Sequence, residues 1–386
     1  MASSPRINSK LPDIGVSIFA VMGGLAAAHG AIDLSQGAPN FACNPALAEL
    51  AAQAMREGHN QYSEMAGDMT LREQLADNVE RLHGHRYHPQ SEITITGSAS
   101  EGLYASISAL VHAGDEVIYF EPAFDSYAPT ERLQGATPVA IKLDAPAFRV
   151  DFDAVAAAIT PRTRMIIVNT PHNPTATVWS PLDLQRLARL LRDSNIVVLS
   201  DEVYEHVVFD GATHHGMAGV PELAERSVVV SSFGKSFHVT GWRVGYCLAP
   251  VELTREIRKV HQFLMFSADT PMQRAFAVWL KTPEHYLELG NMYQQKRDRL
   301  ASLLATSRFE LLPSAGSFFM LAGYGHFCDQ GDAAFVRQLI VDHGVATLPL
   351  SAFYADGTDD HIIRLSFAKD EQTLRAGAAC LCKVGA

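Results

Sequence analysis

Four short apolar runs constrain this chain more than any other feature: Met165 to Val168, Ile196 to Leu199, Val228 to Val230 and Val244 to Leu248. They are rich in β-branched residues and lack polar alternation, which is how strands buried on both faces read. Helical stretches lie between such runs. Ser180-Pro181-Leu182-Asp183 makes a helix start, and Leu184, Leu187, Leu190 and Leu191 line one face of that helix. Strands alternating with helices predict an α/β fold, with a mostly parallel central sheet sandwiched by helices.

The flanks extend this plan. Upstream, helical spacing predicts helices over Ile18 to Ala26, Pro45 to Met55, Met69 to Leu82 and Ala99 to Val111, and strands at Ile32, Glu92 to Thr96, Glu116 to Phe120 and Val139 to Leu143. Downstream, Glu252 to Met265 is helical, and Thr282-Pro283-Glu284 opens a long helix running to Leu304. Shorter strands come next at Phe309 to Leu312, Ser317 to Leu321, Val345 to Leu348 and Ile362 to Phe367, with a helix from Ala333 to Asp342. The expected division is an arm and helix over 1–44 that belongs to a smaller domain, a large domain over 45–280, and the rest of the small α+β domain over 281–386.

The charge balance excludes some partners. With 31 basic and 42 acidic residues the net charge is -11, with no long basic run, so neither nucleic acid nor an anionic membrane surface is expected as a partner. Arg6 and Lys10 before Ile14 to Ala28 resemble a signal peptide, but Ser17 followed by Ile18, Phe19, Met22, Leu25 and Ala26 reads better as an amphipathic helix. The five cysteines show no Cys-x-x-Cys spacing and are expected to be reduced thiols in a cytoplasmic protein. The pairs His214-His215 and His83-Gly84-His85 lack a third ligand at metal spacing and read as solvated loop residues; no metal is expected.

In open α/β sheets a ligand lies beyond the carboxyl ends of the strands. Three consecutive runs end in reactive residues: Asn173 lies beyond the first, Asp201 and Tyr204 beyond the second, Ser232 and Lys235 beyond the third. Lys235 has Gly234 before it and aromatic residues on either side, so a dry pocket would lower its pKa and free the amine for condensation with an aldehyde. A carboxylate suited to a ring nitrogen, hydroxyls, and Arg243 eight residues on as a fork for phosphate complete a set that suits pyridoxal phosphate. Thr96-Gly97-Ser98-Ala99-Ser100 runs into a helix N-terminus, which adds an anion site.

These residues resemble the class I aminotransferases of the pyridoxal-phosphate fold-type-I superfamily along nearly the whole chain, most of all their methionine and kynurenine aminotransferase branches. The resemblance implies that Lys235 is the Schiff-base lysine, Asp201 the partner of the pyridine nitrogen, and Asn173 and Tyr204 the partners of the phenolic oxygen. It places Ser98, Ala99, Ser100, Ser232 and Arg243 at the phosphate and Phe124 against the ring. Tyr62 would reach the phosphate of a neighbouring subunit, so a homodimer with shared sites is implied. Arg364, in Ile363-Arg364-Leu365-Ser366-Phe367, would grip the substrate α-carboxylate, with Gly37 offering a backbone contact. One departure is Ala176, where the family usually has glycine after Asn-Pro-Thr.

The implied activity is ping-pong transamination between an L-amino acid and a 2-oxo acid. Lys235 would be general acid/base, and Phe19, Tyr62, Phe124 and Tyr127 would give an apolar, aromatic pocket that favours methionine-like and phenylalanine-like donors. A carbon-sulfur β-lyase on the same scaffold is the nearest alternative. A transcriptional regulator with an aminotransferase-like domain is the remote one, since a basic helix-turn-helix extension is not evident.

Overall fold

The computed structural model describes residues 7–385, so Arg6 of the basic N-terminal stretch lies outside the described residues. The thirteen strands are β1 (Ile32–Asp33), β2 (Ile93–Thr96), β3 (Glu116–Glu121), β4 (Thr137–Lys142), β5 (Thr163–Asn169), β6 (Val197–Asp201), β7 (Ser227–Ser232), β8 (Gly245–Leu248), β9 (Glu310–Leu311), β10 (Phe319–Gly323), β11 (Val345–Ala346), β12 (Leu348–Pro349) and β13 (Ile362–Ser366). Seven of them form one sheet in the order β2-β8-β7-β6-β5-β3-β4. Only β8 runs antiparallel to its neighbours, so the predicted mostly parallel sheet is what forms. Residues of β2, β3, β5, β6 and β8 are almost all buried, as the unbroken apolar runs require.

Register positions the site. Asn169 pairs with Asp201 and Asp201 with Val230, so β5, β6 and β7 deliver their polar ends to one edge of the sheet. Behind that edge the helix Ala99–Leu110 starts just after β2, and Gly245 of β8 lies so close beneath it that a Cβ would stand 2.6 Å from the Ala99 amide nitrogen. A second sheet, β12-β13-β10-β9, is antiparallel, and β1 pairs in parallel with β11. Leu34, just past β1, donates to the Ala346 carbonyl and accepts from the Ser366 amide, which ties the N-terminal segment to the C-terminal sheet.

Several local expectations change. The helix expected from Thr282 to Leu304 breaks at Glu288 into Glu284–Leu287 and Leu289–Leu303. A further helix, Thr270–Trp279, precedes it, with the Asp269 carboxylate accepting from Met272 N and Pro271 in its first turn. The run Val345 to Leu348 serves two sheets, because β11 pairs with β1 while β12 pairs with β13. His215 is exposed, but His214 is buried and its Nε2 lies 2.8 Å from the buried carboxylate of Glu202, which also accepts from the Ser200 hydroxyl and the Met217 amide.

Glu131, in the helix Tyr127–Leu133, is fully buried and neither of its carboxyl oxygens has a hydrogen-bond partner. Burial pushes its carboxyl well above the usual carboxylate range, so it is protonated in the fold. The unfolded chain loses that proton at lower pH, so this group makes stability fall as pH rises above its ordinary value of 4.5. Glu131→Gln should therefore stabilise more at pH 8 than at pH 5 in chemical denaturation. An equal effect at both pH values would show that the carboxyl titrates normally.

Candidate active site

Lys235 sits in the one-turn helix Phe233–Ser236 that caps β7, where the Ser232 hydroxyl accepts from the Gly234 amide at 3.1 Å. Its Nζ donates to the Gly37 carbonyl at 2.8 Å. Burial, assisted by the neighbouring Arg364 cation and opposed by Asp201, pushes the amine down to about 8. More of this amine is therefore unprotonated near neutral pH than of a lysine in water.

Asp201 closes β6 and is buried. The Tyr127 hydroxyl donates to its Oδ2 at 2.7 Å, while Oδ1 receives only a long contact from the Val203 amide, 3.4 Å. Burial pushes this carboxyl up to about 6, with the Tyr127 hydrogen bond pulling the other way. Tyr204 is buried with its ring centroid 5.8 Å from Lys235 Nζ, and burial raises its phenol above the usual range. Asn173 is held by its backbone, since its amide donates to Asn169 Oδ1 at 2.8 Å and Asn169 Nδ2 donates to the Asp201 carbonyl at 2.8 Å.

Arg364 lies in β13 opposite Leu321 and Leu348 and is fully buried. Its Nη1 donates to Asn173 Oδ1 at 2.5 Å and its Nη2 to the Ser35 carbonyl at 3.0 Å, while Nε has no partner among the described residues. Three phenylalanines surround the guanidinium: Phe319 at 3.9 Å, Phe353 at 5.0 Å and Phe19 at 5.3 Å from ring centroid to Cζ. Burial pushes the guanidinium down to about 9, so it is still a cation at neutral pH. Gly37 fits tightly against this group, since a Cβ there would come within 2.7 Å of the Phe319 ring.

The remaining predicted residues are less uniform. Ser98 caps the helix Ala99–Leu110, its Oγ 3.4 Å from the Glu101 amide; Ala99 is buried and Ser100 exposed. Arg243 is exposed in a left-handed conformation and donates to the Thr240 carbonyl at 3.1 Å. Phe124 is half-buried, edge-on to the Tyr127 ring at 5.8 Å. Tyr62 stays outside this cleft, 80% exposed and edge-on to Phe266 at 5.2 Å. Ala176 takes the left-handed turn that glycine would allow, at φ 60°, and its carbonyl accepts from both Ala315 and Gly316.

Sequence reasoning missed part of the cluster. Tyr127 reads as an apolar wall but its hydroxyl holds Asp201, and Asn169 reads as a strand end but braces Asn173. Phe319 and Phe353 carry no local signal, because only the folded small sheet and its neighbouring turn bring them beside Arg364. Among the described residues no group of three or more His, Cys, Asp or Glu could hold a metal, and no helix is long and apolar enough to cross a membrane.

Residues 29–381 match the family model for aminotransferase class I and II. The chain belongs to that family. It is 48% identical over 380 residues to methionine aminotransferase of Escherichia coli, covering 98% of each chain. It is 32% identical to kynurenine–oxoglutarate transaminase of Dictyostelium discoideum, over 96% of this chain and 94% of the relative. A solved Escherichia coli structure described as having a methionine aminotransferase function superposes with a TM-score of 0.97 at 48% identity, over 99% of this chain and 100% of that one. This member of the family therefore has the fold-type-I aminotransferase architecture, as its sheet order also indicates.

Proposed function

We propose that this aminotransferase binds pyridoxal phosphate and transfers the amino group of methionine-like and phenylalanine-like L-amino acids to a 2-oxo acid. The observation that carries the reading is Lys235, half-buried just beyond the end of β7 with its Nζ on the Gly37 carbonyl at 2.8 Å, and pushed down to about 8 by desolvation and the Arg364 charge against the opposing pull of Asp201. The residues fit the cofactor. Asp201 Oδ1 has only a long contact from the Val203 amide, and a helix N-terminus with Ser98, Ser100, Ser232 and Arg243 nearby suits a phosphate.

When bound, pyridoxal phosphate supplies an aldehyde to capture amines and a ring that accepts the electron pair released at the substrate Cα. Asp201 would hold the ring nitrogen protonated, and that new cation would favour its ionised form over the neutral one that burial promotes. Tyr127 fixes the carboxylate orientation. Asn173 and Tyr204 would serve the phenolic oxygen, and Phe124 would cover one ring face. Arg364 would orient the α-carboxylate, and Lys235 would take the proton from the substrate Cα as general base and give it back as general acid. The aromatic surround of Arg364 supports apolar donors, since a charged side chain there would lose its water without gaining a partner.

The exposed Tyr62, with Phe263 and Phe266 also exposed, supports a homodimer in which Tyr62 reaches the partner's phosphate site. A cytoplasmic location is part of the same reading. The test is a donor screen: methionine plus a 2-oxo acid should give the keto acid of methionine and a new amino acid. Release of pyruvate and thiol from a cysteine conjugate, without amino transfer, would replace this reading with a lyase. Tyr127→Phe should lower kcat about tenfold through a less fixed Asp201; an unchanged kcat would reduce Tyr127 to packing.

A further inference from the structure

Ser35, Gly37 and Ala38 present three carbonyls within four residues, and a different cation takes each one. Arg364 donates to Ser35 at 3.0 Å, Lys235 to Gly37 at 2.8 Å and Lys369 to Ala38 at 3.0 Å. The segment is braced from its other side as well. Asp33 accepts from the Ser35 and Gln36 amides at 2.7 and 3.2 Å, and the Gln36 side chain donates to the Phe19 carbonyl at 2.8 Å.

Arg364 and Lys235 have chemical work to do on this strap, but Lys369 has none assigned. It is only 3% exposed, and its own carbonyl accepts from Lys296 Nζ at 2.8 Å. Burying an ammonium is costly, and an apolar side chain would fill the same volume without that cost. The charge is therefore explained by what it holds. Lys235 must leave the Gly37 carbonyl to engage an aldehyde, and Arg364 must turn part of its fork to a substrate carboxylate. Lys369 is the one cationic anchor that the reaction leaves in place.

We propose that Lys369 is a positioning residue for transamination: through Ala38 it keeps Gly37 and Ser35 seated beside Arg364 after Lys235 has let go. This rests on the active-site reading above. The seat is narrow, because Phe319 lies directly behind Gly37 with the Tyr204 hydroxyl beyond it, so a strap drifting outward would open the carboxylate site. Lys369 also belongs to the ring of charges around Lys235, with Arg364, Arg243 and Asp201; the charges around Lys369 itself are Asp33 and Asp370. Its positive charge makes protonation of the Lys235 nitrogen less favourable.

The test uses holoenzyme and the non-reacting analogue α-methylmethionine. Lys369→Met should raise the dissociation constant of the analogue about tenfold, the effect of one charge-assisted hydrogen bond. It should also shift the spectroscopic pH midpoint of the Lys235-bound cofactor upward by about half a pH unit. Lys369→Arg should restore the analogue affinity to within about threefold, because it keeps the charge and a donor. Borohydride trapping separates the two readings: in every variant it should label Lys235. If the unsubstituted protein labels another lysine, the site reading falls and this proposal with it. If Lys235 is labelled but Lys369→Met leaves both affinity and midpoint unchanged, Lys369 is structural and the proposal alone is overturned.

Discussion

Lys235→Ala should abolish the yellow absorbance that pyridoxal phosphate gives on binding and cut kcat by at least about 10⁴-fold. The loss is compound, since the same nitrogen holds the cofactor and moves the proton, each a step that one positioned group speeds by about 10² to 10⁴. The physical basis lies in the setting of the amine, half-buried and pushed by desolvation down to about 8 from its ordinary value of 10.5. The sign is clear: as pH rises through 8 the apoprotein gains unprotonated amine, so its rate of cofactor uptake should rise through that range and flatten above it. The decisive measurement is borohydride reduction followed by peptide mass mapping. A label on any lysine other than Lys235, or normal absorbance in the Ala variant, would defeat the assignment.

Much of this site is legible in the sequence because Asn173, Asp201, Tyr204, Ser232 and Lys235 each lie at or just beyond the end of an apolar run, and together they carry what none of them carries singly. Val228 to Val230 lies within β7, Ile196 to Leu199 overlaps β6, and the sheet register then levels Asn169 with Asp201. What escapes depends on direction in space. Tyr127 reads by its ring as apolar, and only the turn into the helix Tyr127–Leu133 aims its hydroxyl at Asp201. His214 reads as a solvated loop residue; it does lie in a loop, but Glu202, twelve residues away, holds it buried. The helix Thr270–Trp279 has its signals in Asp269 and Pro271, but the single long helix expected beyond it breaks at Glu288. The three carbonyl anchors of the Ser35 to Ala38 strap join residues up to 331 positions apart, which no local pattern encodes.

Arg364→Ala should lower kcat/KM for methionine by about 10³-fold while leaving cofactor absorbance intact. Among the described residues the guanidinium makes two hydrogen bonds and its Nε has no partner, so it holds the geometry to meet a carboxylate with part of its fork. Removing it costs the charge-assisted bonds to substrate and leaves Asn173 Oδ1 and the Ser35 carbonyl without their donor, each a buried acceptor. Arg364→Lys should recover little, because a point charge can neither bridge a carboxylate in two places nor stack between Phe319, Phe353 and Phe19. A substrate lacking the carboxylate distinguishes recognition from collapse. With 3-(methylthio)propylamine, which has methionine's side chain and amine alone, wild type and Arg364→Ala should react at equally low rates. If the substitution slows that amine as much as it slows methionine, or strips the cofactor, then Arg364 holds the fold of the site and some other group reads the carboxylate.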